Sequence, residues 1–226
     1  EGSPSLPFKK IIYVFFSLTG HVQRLHFVQN EVIPSSSHFD STGEFPWPWV
    51  RRAHALGLMN TGIPPEHGGI GLPLTVKVGI FETIAYGDIG LGTTLMVSEL
   101  SQQPLLTTLM VSELSQQPLL YAYAGTLEQK QKFLLPMLGN PFLASFAVTE
   151  PEAGSDVSNV STSAEPSEDG TFYVLNGAKK WITNCGVAQW FFVLARTAAD
   201  PATPAKDAFT GFIVERDTPG LTVGEK

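Results

Sequence analysis

The sequence predicts a mixed α+β protein in which a helical part precedes a part built from β-strands. Up to residue 140, apolar residues recur at helical spacing, with capping and stop signals around them. After Pro141 the chain becomes rich in β-branched and aromatic residues separated by turn residues. We therefore predict two domains, a helical one over residues 1–140 and a β domain over residues 141–226.

The bulk composition favours a folded protein and excludes some classes of partner. Of the 226 residues, 43% are hydrophobic and 15% are charged, which is typical of a chain that forms a core. The net charge of -7 argues against a nucleic-acid partner, because phosphate contacts need clustered Lys and Arg. The single cysteine, Cys185, excludes an internal disulfide and favours a reducing compartment. No apolar stretch approaches the roughly 20 residues of a membrane span.

Three helices and a glycine-rich turn at residues 67–71 are predicted in the first domain. The helices have recognisable starts and stops, since Pro suits a first turn, Gly a C-terminal cap, and a Thr with Gln three residues later a capping box. They are a helix from Pro48 to Gly57, a helix that carries Val76, Ile80 and Ile84 and ends at Gly87, and a helix from the Thr126–Gln129 capping box to Gly139.

A 14-residue segment, TTLMVSELSQQPLL, occurs twice without a change, at residues 93–106 and 107–120. Two identical units are too few for a solenoid. Pro104 is expected to break or kink a helix that runs through the first copy. We expect one copy to occupy the helix and the other to extend it or loop out. Both a recent duplication and an error in the gene model explain the repeat.

The second domain is predicted to contain strands on either side of a turn. Asn176-Gly177 separates the runs 171–175 and 180–183, which favours a β-hairpin, although the runs are slightly offset. Two further strands are predicted, at Trp190–Ala195 and Phe209–Val214.

Common catalytic and nucleotide-binding signatures are absent from the sequence. It has no G-x-G-x-x-G, Walker loop, H-E-x-x-H or G-x-S-x-G motif. The five histidines lack metal-ligand spacing, so no metal site is predicted.

Two other motifs are specific. Residues 146–156 read FAVTEPEAGSD, and residues 181–184 read WITN. Together they resemble the flavin-binding signature of the acyl-CoA dehydrogenases. The resemblance extends from Phe16 to Lys226, through 63–69 (IPPEHGG) and through 208–220, which is similar to the medium-chain branch of the family.

The resemblance implies a fold, a cofactor and a set of site residues. The implied fold is an N-terminal helical domain and a β-barrel or sandwich-like middle domain, with the family's C-terminal helical domain absent from this chain. The implied cofactor is FAD. A protein supplies such a flavin with stacking, orientation and hydrogen bonds, while the cofactor supplies the chemistry. The implied cofactor-binding residues are Phe146, Ala147, Val148, Thr149, Gly154, Ser155, Trp181, Ile182 and Thr183.

Individual roles also follow from the resemblance. The Thr149 and Thr183 hydroxyls bond the edge of the flavin, with Thr183 nearest N5, and Trp181 offers an apolar face. Backbone groups of residues 146–148 line the pyrimidine edge. Ser155 bonds the CoA arm of the substrate. Phe146 stands where the family often has Tyr.

The implied reaction is the α,β-dehydrogenation of a fatty acyl-CoA to the trans-2-enoyl-CoA, with medium-chain preference. No residue here matches the family's catalytic glutamate, which belongs to the C-terminal domain, and Glu150 is assigned to the loop. The chain is therefore expected to be a fragment.

Family resemblance implies an electron-transferring flavoprotein as partner, a homotetramer, and the mitochondrial matrix or a bacterial cytoplasm. Two alternatives stay open: a silent remnant that binds FAD or acyl-CoA, and an acyl-CoA oxidase.

Overall fold

A sheet of five strands follows the helices in the computed structural model, which describes residues 21–106 and 125–224. The apolar segment Ile11–Phe16, the residues 16–19 of the family resemblance and the second repeat copy lie outside the described residues. The mixed α+β class is confirmed: helices precede a sheet domain.

The helices of the described chain begin with residues 21–27, which are α-helical and lead into a π-helical turn, Val28–Val32. A 3-10 turn, Pro65–His67, lies between the second and third of the helices that follow. They are α1 (Ile33–Thr42), α2 (Trp47–Ala55), α3 (Leu74–Gly87), α4 (Ile89–Leu106), α5 (Leu127–Phe133), α6 (Leu135–Gly139) and the single turn α7 (Ala205–Ala208).

Two predicted helices are confirmed with their stop signals. Helix α2 has Pro48 in its first turn, and Gly57 just beyond its end has a left-handed φ of 67°. Helix α3 ends at Gly87 and buries Ile80 and Ile84 completely. Gly87 is needed for packing, because a Cβ there would lie 2.5 Å from Cγ1 of Val28.

The third predicted helix begins as expected but does not run through to Gly139. The Thr126 hydroxyl accepts from the Gln129 amide at 3.2 Å, and the Gln129 side chain accepts from the Thr126 amide at 2.9 Å. The helix is interrupted at Leu134, so that α5 and α6 are separate. Pro136 explains the break, because it has no N–H to continue the ladder and its ring crowds the preceding turn.

The first copy of the repeat lies entirely within α4, and Pro104 does not interrupt the helix. Pro104 is two residues before the end of the helix at Leu106, so the backbone donor that it lacks belongs to the last turn. The described residues resume at Gly125, whose amide donates to the Leu105 carbonyl at 3.2 Å. Leu105 and Gly125, which flank residues 106–124 in the sequence, are therefore adjacent.

The sheet contains β1 (Ala144–Ala147), β2 (Ser163–Pro166), β3 (Tyr173–Asn176), β4 (Trp190–Arg196) and β5 (Phe209–Glu215). The predicted strands at 190–195 and 209–214 are confirmed as β4 and β5. Strand β4 is central and buries five of its seven residues. It pairs antiparallel with β5 along one edge, and parallel with β1 and then β2 along the other.

The predicted hairpin around Asn176-Gly177 is wrong. Strand β3 pairs antiparallel with β2, in a register that joins Ser163 to Asn176, and residues 180–183 form no strand. The true turn lies at 167–172, where the Asp169 carboxylate accepts from Ser167 and Thr171. A side-chain-stabilised turn thus prevails over the Asn-Gly signal.

The chain divides into two compact units, one that ends at Met96 and one that begins at Val97. The division falls inside α4, and the second unit contains α5, α6 and the sheet. The domain boundary at residue 140 stays a prediction.

Candidate functional site

The first motif begins on β1 and continues into the loop that follows it. Phe146 pairs with Phe192 of β4 in the parallel register, and their rings stack with centroids 5.1 Å apart at 15°. Ala147 and Val148 are buried. Thr149 is half-buried, one residue beyond them. The buried strand therefore fixes the backbone from which Thr149 projects.

The second motif forms a turn with two left-handed residues. Trp181 has φ 60° and Asn184 has φ 67°. Asn tolerates this conformation, whereas a bulky side chain such as Trp adopts it at a cost. Strain of this kind concentrates at functional sites, where the surroundings enforce it. The turn presents the Trp181 side chain to solvent, with the residue 81% exposed, and Lys180 Nζ lies 4.9 Å from its ring centroid.

Hydrogen bonds hold residues 179–184 against the first motif, with the two segments running in opposite directions. At one end, the Asn184 side chain donates to the Ala144 carbonyl at 3.2 Å, and the Ser145 hydroxyl donates to the Thr183 carbonyl at 2.7 Å. At the other end, the Lys180 amide donates to the Thr149 carbonyl at 2.9 Å. The two motifs, of which the second begins 25 residues after the first ends, thus form one structural unit.

The two threonines that the sequence assigns to the site have hydroxyls available for a ligand. Thr149 and Thr183 are both half-buried, and Ile182 beside Thr183 is half-buried as well. Within residues 21–106 and 125–224, neither hydroxyl has a hydrogen-bond partner. Each can therefore donate to, or accept from, a bound molecule.

The loop of the first motif exposes Gly154 and Ser155. A backbone pair closes this loop, in which the Glu150 amide donates to the Ala153 carbonyl at 2.8 Å and the Ala153 amide donates back at 3.3 Å. A Cβ on Gly154 would meet nothing within 4 Å. Ser155 is accessible to a ligand, as its predicted contact with substrate requires.

Glu150 is buried and its carboxylate is saturated with donors. The amide and hydroxyl of Ser161 each donate to Oε2 at 2.7 Å. The Thr162 amide at 2.9 Å, the Thr162 hydroxyl and Lys179 Nζ at 2.8 Å donate to Oε1. The side chains of Glu150 and Lys179 are only 2% and 12% exposed.

The surroundings of this pair disfavour Glu150 as a catalytic base. Burial raises the pKa of Glu150, but the hydrogen bonds from Lys179, Thr162 and Ser161 outweigh it and lower the pKa to about 2. Burial lowers the pKa of Lys179, and the Glu150 carboxylate opposes that effect. A carboxylate with so low a pKa accepts a proton poorly at neutral pH, which is consistent with a structural role in the loop.

The Glu150 carboxylate is expected to make stability depend on pH in the acid range. Because its pKa is about 2 in the folded chain and 4.5 ordinarily, the unfolded chain takes up the proton first as the pH falls. This contribution is fully present above pH 4.5 and is lost as the pH falls towards 2. Urea unfolding at a series of pH values checks it: Glu150→Gln should lack this part of the pH dependence, and parallel curves for both proteins would contradict the assignment.

Sequence reasoning identified both motifs but missed Lys179, Ser161 and Thr162 as partners of Glu150. A buried carboxylate requires buried donors, but its neighbours in the sequence, the half-buried Thr149 and the exposed Pro151, do not indicate that Glu150 is buried. Nothing in the sequence indicates where along the chain those donors lie.

Other chemistry is limited among the described residues. Burial raises the pKa of the Cys185 thiol, against the effect of Arg216, which disfavours a reactive thiolate. The described residues contain no group of three or more metal-ligating side chains. None of their helices has the length and apolarity to cross a membrane.

The residues present suit a flat, partly apolar ring with polar edges. Such a ring needs an apolar face and hydrogen-bonding groups at its rim. The exposed indole of Trp181 supplies the apolar face, and the hydroxyls of Thr149 and Thr183 supply the hydrogen-bonding groups. The donor set therefore fits a flavin.

Comparison with known proteins agrees with this chemistry. Residues 23–140 match the family model described as acyl-CoA dehydrogenase, N-terminal domain, and residues 145–226 match the model of the acyl-CoA dehydrogenase middle domain. A probable medium-chain specific acyl-CoA dehydrogenase 2, mitochondrial, of Caenorhabditis briggsae is 43% identical over 202 residues, which are 89% of this chain and 45% of the relative.

Solved structures show the same fold. An acyl-CoA dehydrogenase complexed with FAD, from Bacillus anthracis, is 32% identical with a TM-score of 0.73, over 91% of this chain and 31% of that one. A chain of an electron transferring flavoprotein structure from Acidaminococcus fermentans is 25% identical with a TM-score of 0.71, over 100% of this chain and 52% of that one. This chain spans under half the length of the Caenorhabditis briggsae relative.

Proposed function

This chain belongs to the acyl-CoA dehydrogenase family, and on that premise we propose that it carries the FAD site and part of the acyl-CoA site of such an enzyme. One observation carries the proposal: the two motifs are bonded into one unit that presents the Thr149 and Thr183 hydroxyls and an exposed Trp181. The reaction we propose is the α,β-dehydrogenation of a fatty acyl-CoA to its trans-2-enoyl-CoA.

The roles of the residues follow the chemistry of the site. Thr149 and Thr183 hydrogen-bond the edge of the ring, Trp181 and Ile182 cover it, and backbone groups of 146–148 line its pyrimidine edge. Gly154 keeps the loop open, and Ser155 binds the CoA arm. A bound FAD would supply the hydride acceptor. No residue of this chain is proposed as the base, because the Glu150 carboxylate is already bonded to five donors.

The finer features of the proposal rest on the relatives. Medium-chain preference and the mitochondrial matrix are proposed from the Caenorhabditis briggsae relative. An electron-transferring flavoprotein as partner is proposed from the Acidaminococcus fermentans structure, and a homotetramer from the family.

FAD titration of the purified chain tests the proposal. The chain should quench the fluorescence of added FAD with saturable stoichiometry, and a medium-chain acyl-CoA should then perturb the visible spectrum of the bound flavin. A short-chain and a very-long-chain acyl-CoA serve as comparisons for chain length. Absence of saturable FAD binding by a folded chain would overturn the proposal.

Thr183→Ala is expected to raise the Kd for FAD by about fivefold, because one net hydrogen bond contributes about 1 kcal/mol. The Ser145 bond to the Thr183 carbonyl is retained, so the turn should persist. Fluorescence titration measures the effect, with Thr183→Ser as the control that keeps the hydroxyl. Equal affinities and spectra for Thr183→Ala and the wild type would remove Thr183 from the site.

Ser155→Ala is expected to raise the Kd for acyl-CoA several-fold while leaving FAD content largely unchanged, because the contact proposed for the Ser155 hydroxyl is with the CoA arm of the substrate. Acyl-CoA titration, monitored by the bound-flavin spectrum, measures the change. Ser158→Ala, on an exposed neighbour bonded to Asp156, is the matched control. Loss of FAD from Ser155→Ala would place Ser155 on the cofactor instead.

A further inference from the structure

The Glu150 carboxylate joins three segments that are distant in sequence. It lies within the first motif, it accepts from Ser161 and Thr162 just before β2, and it accepts from Lys179 just before the second motif. Thr162 is itself fixed to the sheet, because its carbonyl accepts from the Arg196 amide at 2.7 Å. Glu150 is thus anchored to the end of β4 and holds Lys179 from there.

Lys179 makes a second hydrogen bond, to the backbone just before Thr149. Its Nζ donates to the Val148 carbonyl at 3.1 Å as well as to Glu150. The backbone amide of the next residue, Lys180, donates to the Thr149 carbonyl. Peptide groups on both sides of the Thr149 side chain are therefore held by consecutive residues of the second segment.

Thr183 is held at the opposite end of the same segment. The Ser145 hydroxyl donates to its carbonyl, and the Asn184 side chain donates to the Ala144 carbonyl. Between these bonds and Lys179 the chain passes through the left-handed Trp181. A turn in this conformation keeps its shape only while both of its ends are fixed.

We propose that the Glu150–Lys179 ion pair is a positioning element for the flavin site, which sets the separation of the Thr149 and Thr183 hydroxyls. The proposal rests on the proposed function, because the two hydroxyls matter as a pair only if they bond one ring. The pair contacts neither hydroxyl, and it acts through the backbone of residues 148–149 and 179–180.

Removing both charges tests the positioning without leaving a lone buried charge. Replacement of a buried ion pair by apolar or neutral groups of similar volume is often tolerated, whereas removal of one partner is not. The variant is Glu150→Gln with Lys179→Met. The matched control is Glu215→Gln with Lys132→Met, which removes a pair of 2.6 Å whose side chains are about half exposed.

Two measurements follow on the whole chain. Hydrogen exchange of the Lys180 amide reports the contact with Thr149 without any cofactor. The visible spectrum at saturating FAD reports the environment of the ring, which a pair that only stabilised the fold would leave unchanged. The double variant should lose protection of the Lys180 amide, bind FAD about tenfold more weakly and show a shifted flavin band at saturation, and the control should do none of these.

The outcomes separate the two proposals. A double variant with a protected Lys180 amide and a wild-type flavin spectrum overturns the positioning role, even if its stability changes. A wild-type chain that fails to bind FAD overturns the proposed function and with it this role, whatever the exchange data show. Loss of protection together with an unchanged flavin spectrum at saturation also overturns the role, because the backbone contact would then not govern the ring.

Discussion

Replacing Glu150 by glutamine alone is expected to lower the free energy of unfolding by about 3–5 kcal/mol, because it leaves the Lys179 ammonium buried without a countercharge. The amide also cannot accept all five of the hydrogen bonds that reach the carboxylate. Urea unfolding of the chain at neutral pH measures the loss.

Glu152→Gln is the matched control, since Glu152 is two residues away and exposed. Its free energy of unfolding should stay within about 0.5 kcal/mol of the wild type. Adding Lys179→Met to Glu150→Gln should recover much of the loss, which would show coupling between the two charges. Equal effects of the Glu150 and Glu152 replacements would contradict the buried network.

Gly177→Ala is expected to cost about 3 kcal/mol, at the upper end for an overpacked site. A Cβ at residue 177 would lie 2.4 Å from the Thr162 hydroxyl and 2.7 Å from the Thr162 Cα. Because the second atom belongs to the backbone, a side-chain rotation cannot relieve the contact. Thr162 must therefore move, and the hydrogen bonds that it donates to Glu150 weaken.

Gly186→Ala is the control for this replacement. Gly186 lies in the same unit, and a Cβ there would meet nothing within 4 Å. Urea unfolding should show little change for Gly186→Ala and a large loss for Gly177→Ala. Similar free energies of unfolding for the two variants would mean that the close approach of Gly177 to Thr162 does not affect stability.

Local patterns in the sequence were sufficient where neighbours along the chain determine the outcome. The Thr126–Gln129 capping box and the stop at Gly87 are of this kind. So are the apolar runs of β4 and β5, because a buried strand needs little beyond its own residues to be recognised.

Prediction from the sequence was wrong or incomplete where contacts between segments distant in the chain determine the structure. The Asn176-Gly177 signal is local, but β3 finds its partner in β2 through a turn that Asp169 stabilises. The partners of Glu150 lie up to 29 residues away, and no spacing rule connects them. Family resemblance indicated the site residues, whereas the contacts that hold the two motifs together are visible only in the folded structure.

The adjacency of Leu105 and Gly125 has a consequence for the energetics of the repeat. Since those two residues are hydrogen-bonded, the second copy lengthens a connection whose ends already meet. The closure entropy of a loop grows only logarithmically, by about 0.6 kcal/mol per doubling. Residues 106–124 lie between Leu105 and Gly125, and 14 of them belong to the second copy. The copy therefore doubles the length of the connection about twice, which costs ~1.2 kcal/mol of closure entropy. A duplication at this point is therefore close to neutral for the folding equilibrium, whereas the same insertion inside β4 would shift the register of the whole sheet.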